Sequence, residues 1–166
     1  MKKNFVDGFE NLIPATNDTP YKRIITISDC HGKFTKLMNL LEKFSVTEED
    51  LLIFLGNFID RGNEVAEMLE WILEQSNKKN FIFLRGNHEQ MLADAFRGRM
   101  NKITWLFNGG KETIQALSKL KSTSKDIVKK VVTCFESWSL YHSMNIGGRK
   151  YMVDVLSGEY WQSDLL

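Results

Sequence analysis

The sequence predicts an α/β fold with a mostly parallel sheet, because apolar runs and helical patterns alternate along its first half. Short apolar, β-branched runs occur at residues 23–27, 51–55 and 81–84, which is typical of strands buried in a parallel sheet. Between these runs, apolar residues recur at helical spacing over residues 33–44 and 64–74. This alternation is the order of consecutive βαβ units, so we expect a sheet core with flanking helices.

The second half of the sequence predicts helices followed by a hairpin. Helical spacing of apolar residues extends over residues 91–96, 111–120 and 126–138. Two short strand patterns, at residues 141–146 and 151–156, flank a pair of glycines and predict a β-hairpin. We expect this hairpin to belong to a second, incomplete sheet.

Composition limits the class of protein. With 166 residues and 43% hydrophobic content, residues 1–166 can form a single domain with one core, behind a polar lead at residues 1–20. The 22 Lys and Arg residues balance 21 Asp and Glu residues, so net charge does not indicate nucleic acid or a membrane surface as a partner. No signal peptide or membrane-spanning run is evident, and Cys30 and Cys134 lack the spacing of a zinc or disulfide framework, so we expect a cytoplasmic protein.

Three polar clusters each follow one of the predicted strands. They read Asp29-Cys30-His31-Gly32, Gly56-Asn57-Phe58-Ile59-Asp60-Arg61-Gly62 and Arg85-Gly86-Asn87-His88-Glu89. The carboxyl ends of parallel strands share one crevice, so side chains from all three clusters can converge on a single ligand. An Asp-x-His pair alone would be weak evidence of a site. Oxygen ligands mixed with imidazole, placed behind three strands, suit Mn, Fe or Zn.

These clusters resemble the motifs of the calcineurin-like metallophosphoesterases. The sequence is similar to the Ser/Thr protein phosphatase family and its bacterial diadenosine-tetraphosphatase relatives, whose motifs read GDxHG, GDxxDRG and GNHE. The resemblance covers roughly residues 23–115. Asn108-Gly109-Gly110 after Trp105, with Thr113 following, also resembles the bacterial branch. The resemblance implies a metallophosphoesterase-like sheet core with βαβ units and flanking helices, and a metal-dependent phosphoesterase site.

The resemblance implies metal ligands at specific positions. Asp29 and His31 would bind a first metal, position 57 would bridge two metals, and Asn87 would bind the second. The implied cofactor is Mn²⁺ or another divalent metal. Asp154 stands where the family supplies a histidine ligand to the second metal, and its carboxylate could substitute there.

The resemblance also implies catalytic and phosphate-binding residues. His88 would be the general acid, and Asp60 would orient it. Arg61 would hold the phosphate through the paired hydrogen bonds that a guanidinium group makes well. Arg85, beside loop amides, would add phosphate-binding character. Without a metal, Asp60, Arg61 and His88 could instead form a polar network that shapes the loops.

The sequence departs from the family pattern at several of these positions. Position 57 is Asn, and an amide offers one neutral carbonyl where a carboxylate gives each metal an anionic oxygen. Asp154 replaces a histidine, and the sequence ends at Leu166, before a later histidine of the family would be expected. His142 lies on the wrong side of its strand and is not assigned as a ligand. We therefore expect at most one weakly held ion.

Two functions remain open at this point. The first is a degenerate phosphatase-like protein that binds another protein or a phosphate-containing ligand and acts as a regulator or inhibitor. A small phosphatase-derived protein of this kind could come from a phage or a mobile element. A homodimer through an open sheet edge would also be compatible with the sequence. The alternative is a metal-dependent phosphoesterase, acting on phosphoproteins or dinucleoside polyphosphates, in which Asn57 is an inactivating change.

Overall fold

A four-stranded sheet forms the centre of the protein, whose computed structural model describes residues 11–14, 19–146 and 148–155. The strands are β1 (Asn11–Pro14), β2 (Arg23–Ile27), β3 (Asp50–Phe54) and β4 (Phe81–Phe83), and their order in the sheet is β1-β2-β3-β4. Strands β2, β3 and β4 are parallel, whereas β1 pairs antiparallel with β2. The predicted α/β fold with a parallel core is confirmed.

Helices connect the strands and follow the last of them. They are α1 (Phe34–Lys43), α2 (Val65–Gln75), α3 (Asn87–Arg97), α4 (Lys102–Trp105), α5 (Lys111–Lys121) and α6 (Ile127–Ser137). A π-helical segment at Leu106–Gly110 joins α4 to α5 and is interrupted at Gly109, whose φ is 101°. Helices α1 and α2 are the crossovers of the two βαβ units, as their apolar spacing predicted.

Alternation along the strands gives the sheet two apolar faces. Leu52 and Phe54 of β3 pack with the helices, in a core that also contains Phe83 and Trp138. The intervening residues of the sheet pack on the opposite face, against a hairpin. Every residue of β3 is buried, because this central strand is covered on both faces.

The hairpin consists of β5 (Tyr141–Ile146) and β6 (Arg149–Asp154), which pair antiparallel. Ile146 is buried against the sheet, together with Ile24, Leu51, Ile53 and Leu84. In the part of the chain that the structure describes, the second sheet has these two strands. The predicted hairpin is confirmed, although β6 begins two residues earlier than expected and Leu156 lies outside the described residues.

Four elements differ from the expectation. Strand β1 lies inside the predicted polar lead, where it pairs with β2. Helix α3 begins at Asn87 rather than at residue 91, because the Glu89 side chain accepts a hydrogen bond from the Gly86 N–H and caps the first turn. Helix α4 and the π-helical segment occupy residues that show no periodic apolar pattern. Among the described residues, no helix is long and apolar enough to span a membrane.

Replacing Asp50 by asparagine is expected to destabilise the protein by about 1–3 kcal/mol at neutral pH. The Asp50 carboxylate is 2% exposed and accepts hydrogen bonds from Arg23 Nε and Nη2, each at 2.7 Å. Because the Arg23 side chain is 40% exposed, solvent screening keeps the loss below the value for a fully buried pair.

The effect of this substitution should depend on pH. The hydrogen bonds from Arg23 lower the pKa of the Asp50 carboxyl, so its contribution is present above the unfolded pKa, near about 4, and is lost as pH falls through the lower folded value. Urea unfolding followed by circular dichroism should therefore show a difference between parent and D50N that shrinks from pH 7 towards acid. A difference independent of pH would contradict this assignment.

Candidate functional site

The loops that follow β2, β3 and β4 meet at one edge of the sheet. His31 N–H donates to the Asn57 carbonyl at 2.8 Å, and Gly32 N–H donates to the Phe58 carbonyl at 2.6 Å. The first two loops are thus joined through their backbones. The convergence expected for the carboxyl ends of parallel strands is present.

Glu89 joins the second loop to the third. Its carboxylate accepts hydrogen bonds from the N–H groups of Asn57 and Phe58, both at 2.8 Å, and from that of Gly86 at 3.0 Å. Burial raises the pKa of the Glu89 carboxyl, although the three N–H donors oppose this shift. A Cβ at Gly86 would lie 2.4 Å from Asn57 Oδ1, so only glycine permits this approach. The sequence pattern alone does not predict this role of Glu89.

His88 and Asp60 form a buried pair. His88 Nδ1 donates to Asp60 Oδ2 at 2.7 Å, which leaves the Nε2 lone pair facing away from Asp60. Trp105 Nε1 donates to the same carboxylate oxygen at 2.8 Å, and the Thr113 hydroxyl donates to the other oxygen. Asp60 therefore has a fixed orientation and in turn orients the imidazole. Trp105 and Thr113 belong to the segment that resembles the bacterial branch, but the sequence pattern does not predict their contact with Asp60.

Arg61 bridges the two histidines of the site. Its Nη1 donates to His31 Nε2 at 3.0 Å and its Nη2 donates to His88 Nε2 at 3.2 Å. His31 Nδ1 donates to the Ile59 carbonyl at 2.9 Å, which makes His31 Nε2 an acceptor. Burial lowers the pKa of His31, and the nearby His88 and Arg61 lower it further. Gly109 makes room for Arg61, since a Cβ there would lie 2.7 Å from Arg61 Cγ.

Asn57 lies against Asp29, the predicted first metal ligand. Asn57 Nδ2 donates to Asp29 Oδ1 at 2.9 Å, and Asn57 Oδ1 accepts a long hydrogen bond from the His88 N–H at 3.4 Å. His31 Nε2 lies 3.8 Å from Asp29 Oδ1. Asp29, His31 and Asn57 are thus brought together, but they interact with one another and with Arg61.

The other predicted site residues make no hydrogen bond or ion pair with Asp29, His31 or Asn57 in the described part of the chain. Asn87 is half-buried at the first position of α3, beside His88. Asp154 is exposed at the end of β6, opposite Tyr141, and makes no hydrogen bond or ion pair with the described ligand candidates. Arg85 N–H donates to the Ser139 carbonyl at 2.9 Å, and its buried Nε has no hydrogen-bond partner among the described residues.

Comparison with known proteins identifies the family. Residues 22–164 match the family model of the calcineurin-like phosphoesterases. The chain belongs to the calcineurin-like phosphoesterase family. Its relatives include serine/threonine-protein phosphatase 2 of Salmonella typhimurium, 37% identical over 95 residues, which are 57% of this chain and 41% of the relative. Serine/threonine-protein phosphatase 1 of the same organism is 35% identical over 91 residues, 54% of this chain and 40% of the relative.

A solved structure supports the same relationship. A serine/threonine phosphatase from Saccharomyces cerevisiae, described as similar to human phosphatase PP5, superposes with a TM-score of 0.52 at 32% identity. The superposition covers 75% of this chain and 36% of that one. The present chain thus spans less than half the length of these phosphatases.

The calcineurin-like phosphoesterases normally depend on divalent metals, but the side chains seen here do not fit a two-metal centre. An amide N–H of Asn57 points at Asp29, where a bridging ligand would need an anionic oxygen. The free acceptor of His31 is taken by Arg61. Within the described ranges, no group of three or more His, Cys, Asp or Glu residues could hold a metal ion.

Five residues of the site have left-handed backbone conformations. They are Asp29 (φ 53°), His31 (φ 40°), Asn57 (φ 57°), Asp60 (φ 70°) and Arg61 (φ 67°). Asn and Asp tolerate this region best, whereas for a long side chain such as Arg it is uncommon. The surrounding hydrogen bonds hold these loops in conformations that the residues would not adopt alone.

Proposed function

We propose that this calcineurin-like domain is an impaired phosphoesterase that binds a phosphate-containing ligand on a partner protein, and acts as a regulator or inhibitor of that partner. The observation that carries the proposal is the hydrogen bond from Asn57 Nδ2 to Asp29 Oδ1. It places a neutral amide donor where a metal-dependent member of the family would have a second anionic oxygen.

The groups suited to phosphate are still in place. Arg61 is exposed, and its two hydrogen bonds go to imidazole nitrogens. A phosphate dianion is a stronger acceptor than either, and its oxygens match the paired donors of a guanidinium group. A ligand phosphate can therefore displace the imidazoles from Arg61. Arg85, in the loop after β4, has a buried Nε with no hydrogen-bond partner among the described residues, and we propose it as a second phosphate-binding residue.

The alternative is a working metal-dependent hydrolase, and one observation favours it. The buried hydrogen bond between His88 and Asp60, supported by Trp105, is the arrangement expected of a general acid with its orienting carboxylate. Hydrolysis of a generic aryl phosphate in excess Mn²⁺, compared between parent and H88A, separates the two functions. Turnover that disappears with His88 would make the protein an enzyme.

Binding of a phosphoserine peptide tests the proposal directly. Calorimetry should show that the parent binds the phosphorylated peptide and not its unphosphorylated counterpart, and that R61A weakens binding about tenfold or more, since a charge-assisted pair is lost. R61K is the matched control, because it keeps the charge but not the paired donors, and should bind with intermediate affinity. Equal affinity of parent and R61A would contradict phosphate binding at this site.

A further inference from the structure

A groove runs beside the outer edge of β4, between that strand and α6, and we call it the β4 groove. Its volume is about 820 Å³. It is lined by Ser76, Phe81, Phe83, Lys129, Lys130 and Trp138, among others. We propose that the β4 groove binds an extended, acidic peptide segment of a partner protein, which adds as a strand to the edge of the sheet.

The edge of β4 offers the backbone N–H of Phe83 to such a strand. Leu52 N–H donates to the Asn80 carbonyl and Leu84 N–H donates to the Phe54 carbonyl, which sets the register between β3 and β4. In a parallel ladder the alternate residue, Phe83, then directs its N–H and carbonyl away from β3. The parallel bridge between Leu84 and Ser139 engages the Phe83 carbonyl, whereas no hydrogen bond from the Phe83 N–H is seen among the described residues.

One residue of the chain, Ser139, already pairs with this edge, but the pairing does not extend further. Leu84 forms a parallel bridge with Ser139, and Arg85 N–H donates to the Ser139 carbonyl. The residues before Ser139 turn into α6, which ends at Ser137, so no strand of the described chain continues along Phe83. The space beside Phe83 is therefore open, forms part of the β4 groove, and has the position that a further strand would take.

The walls of the β4 groove define the chemistry of the segment. Phe83 and Trp138 stack with ring centroids 5.1 Å apart and form an apolar floor for an alternate side chain. Lys129 and Lys130 are exposed on the rim and have no ion pair among the described residues. Asp126 is the one acidic residue among the described lining, so the rim favours acidic side chains.

The same lysines disfavour a second copy of this chain. Pairing β4 with β4 of another molecule would bring Lys129 and Lys130 of both copies together, and lysines at edges are a known means of preventing such pairing. The proposal is also independent of the phosphate site. None of Asp29, His31, Asp60, Arg61 or His88 lines the groove.

Fluorescence anisotropy with a labelled peptide tests the proposal. The probe is fluorescein-glycine-glutamate-valine-phenylalanine-valine-glutamate amide, and a matched peptide carries N-methyl groups on its three apolar residues, which blocks strand pairing but keeps the side chains. We expect the N-methylated peptide to bind at least about tenfold more weakly. K129E/K130E should weaken binding of the first peptide by a similar factor, whereas K121E/K125E, with the same change in charge outside the groove, should not.

Amide hydrogen exchange supplies a readout that charge alone would not change. Saturation with the first peptide should slow exchange of the Phe83 amide at least about tenfold, since that N–H becomes hydrogen-bonded. Equal binding of the two peptides, unchanged exchange at Phe83, or no binding up to about 1 mM would each overturn the proposal. A dimer in sedimentation equilibrium that is abolished by K129E/K130E would also overturn it, by assigning the edge to a second copy.

Discussion

Replacement of Asn57 by aspartate is expected to raise the melting temperature by about 5–10 °C in saturating Mn²⁺ relative to chelator, while the parent changes little. In the parent, the Asn57 amide donates to Asp29 at 2.9 Å. In N57D two carboxylate oxygens would meet there, and their repulsion destabilises the metal-free protein by about 1–3 kcal/mol. A divalent cation relieves that repulsion, with Asp29, Asp at position 57 and His31 as ligands.

The matched control for this experiment exchanges the two residues. D29N/N57D has the same net charge as the parent and keeps one amide opposite one carboxylate, so scanning fluorimetry should show no response to Mn²⁺. We expect aryl phosphate turnover of N57D to stay within about tenfold of the parent, because one ion is not a two-metal site. An identical Mn²⁺ response in N57D and parent would refute the role given to Asn57, and high turnover would favour the hydrolase.

Truncation of Glu89 to alanine is expected to cost about 3–5 kcal/mol of unfolding free energy, more than any other single change discussed. Three buried N–H groups, of Asn57, Phe58 and Gly86, would lose their acceptor. Each unsatisfied donor costs about 1–3 kcal/mol, and the three costs are not additive because the loops can relax.

The E89Q variant separates the hydrogen bonds from the space that the side chain fills. Glutamine keeps the volume but replaces one acceptor oxygen by a donor, so it should lose less than E89A and more than about 1 kcal/mol. Urea unfolding measures both losses, and hydrogen exchange should show faster exchange at the Asn57 and Phe58 amides in each variant. A loss below about 1 kcal/mol in E89A would mean that the loops are held together elsewhere.

Local patterns were sufficient for most of the fold. Strand β2 matches the predicted run at residues 23–27, because a strand buried on both faces has a continuous apolar sequence. The start of α3 was wrong because its first turn is polar, and its helical state depends on the long-range position of the β3 loop that Glu89 binds. Strand β1 was missed because its pairing with β2 is a tertiary contact.

The candidate site could be predicted as a set of residues, but not as a network. Only the family resemblance predicts that Asp60 orients His88, and the catalytic roles of both residues stay predictions. The hydrogen bonds that fix Asp60 come from Trp105 and Thr113, 45 and 53 residues away in sequence, and no periodicity reveals such partners. The contact of Arg61 with both histidines depends on side-chain conformation, which sequence patterns do not contain.

The left-handed residues of the three loops bear on any attempt to make this protein more robust. Arg61, at φ 67°, is the bulkiest of them and would cost about 1 kcal/mol or more relative to glycine at the same place. Glycine at such positions should raise thermal tolerance, yet it would remove the side chains on which ligand recognition depends. At these few positions, a substitution that stabilises the fold therefore weakens ligand binding. Selection for thermal stability alone should favour variants that have lost binding.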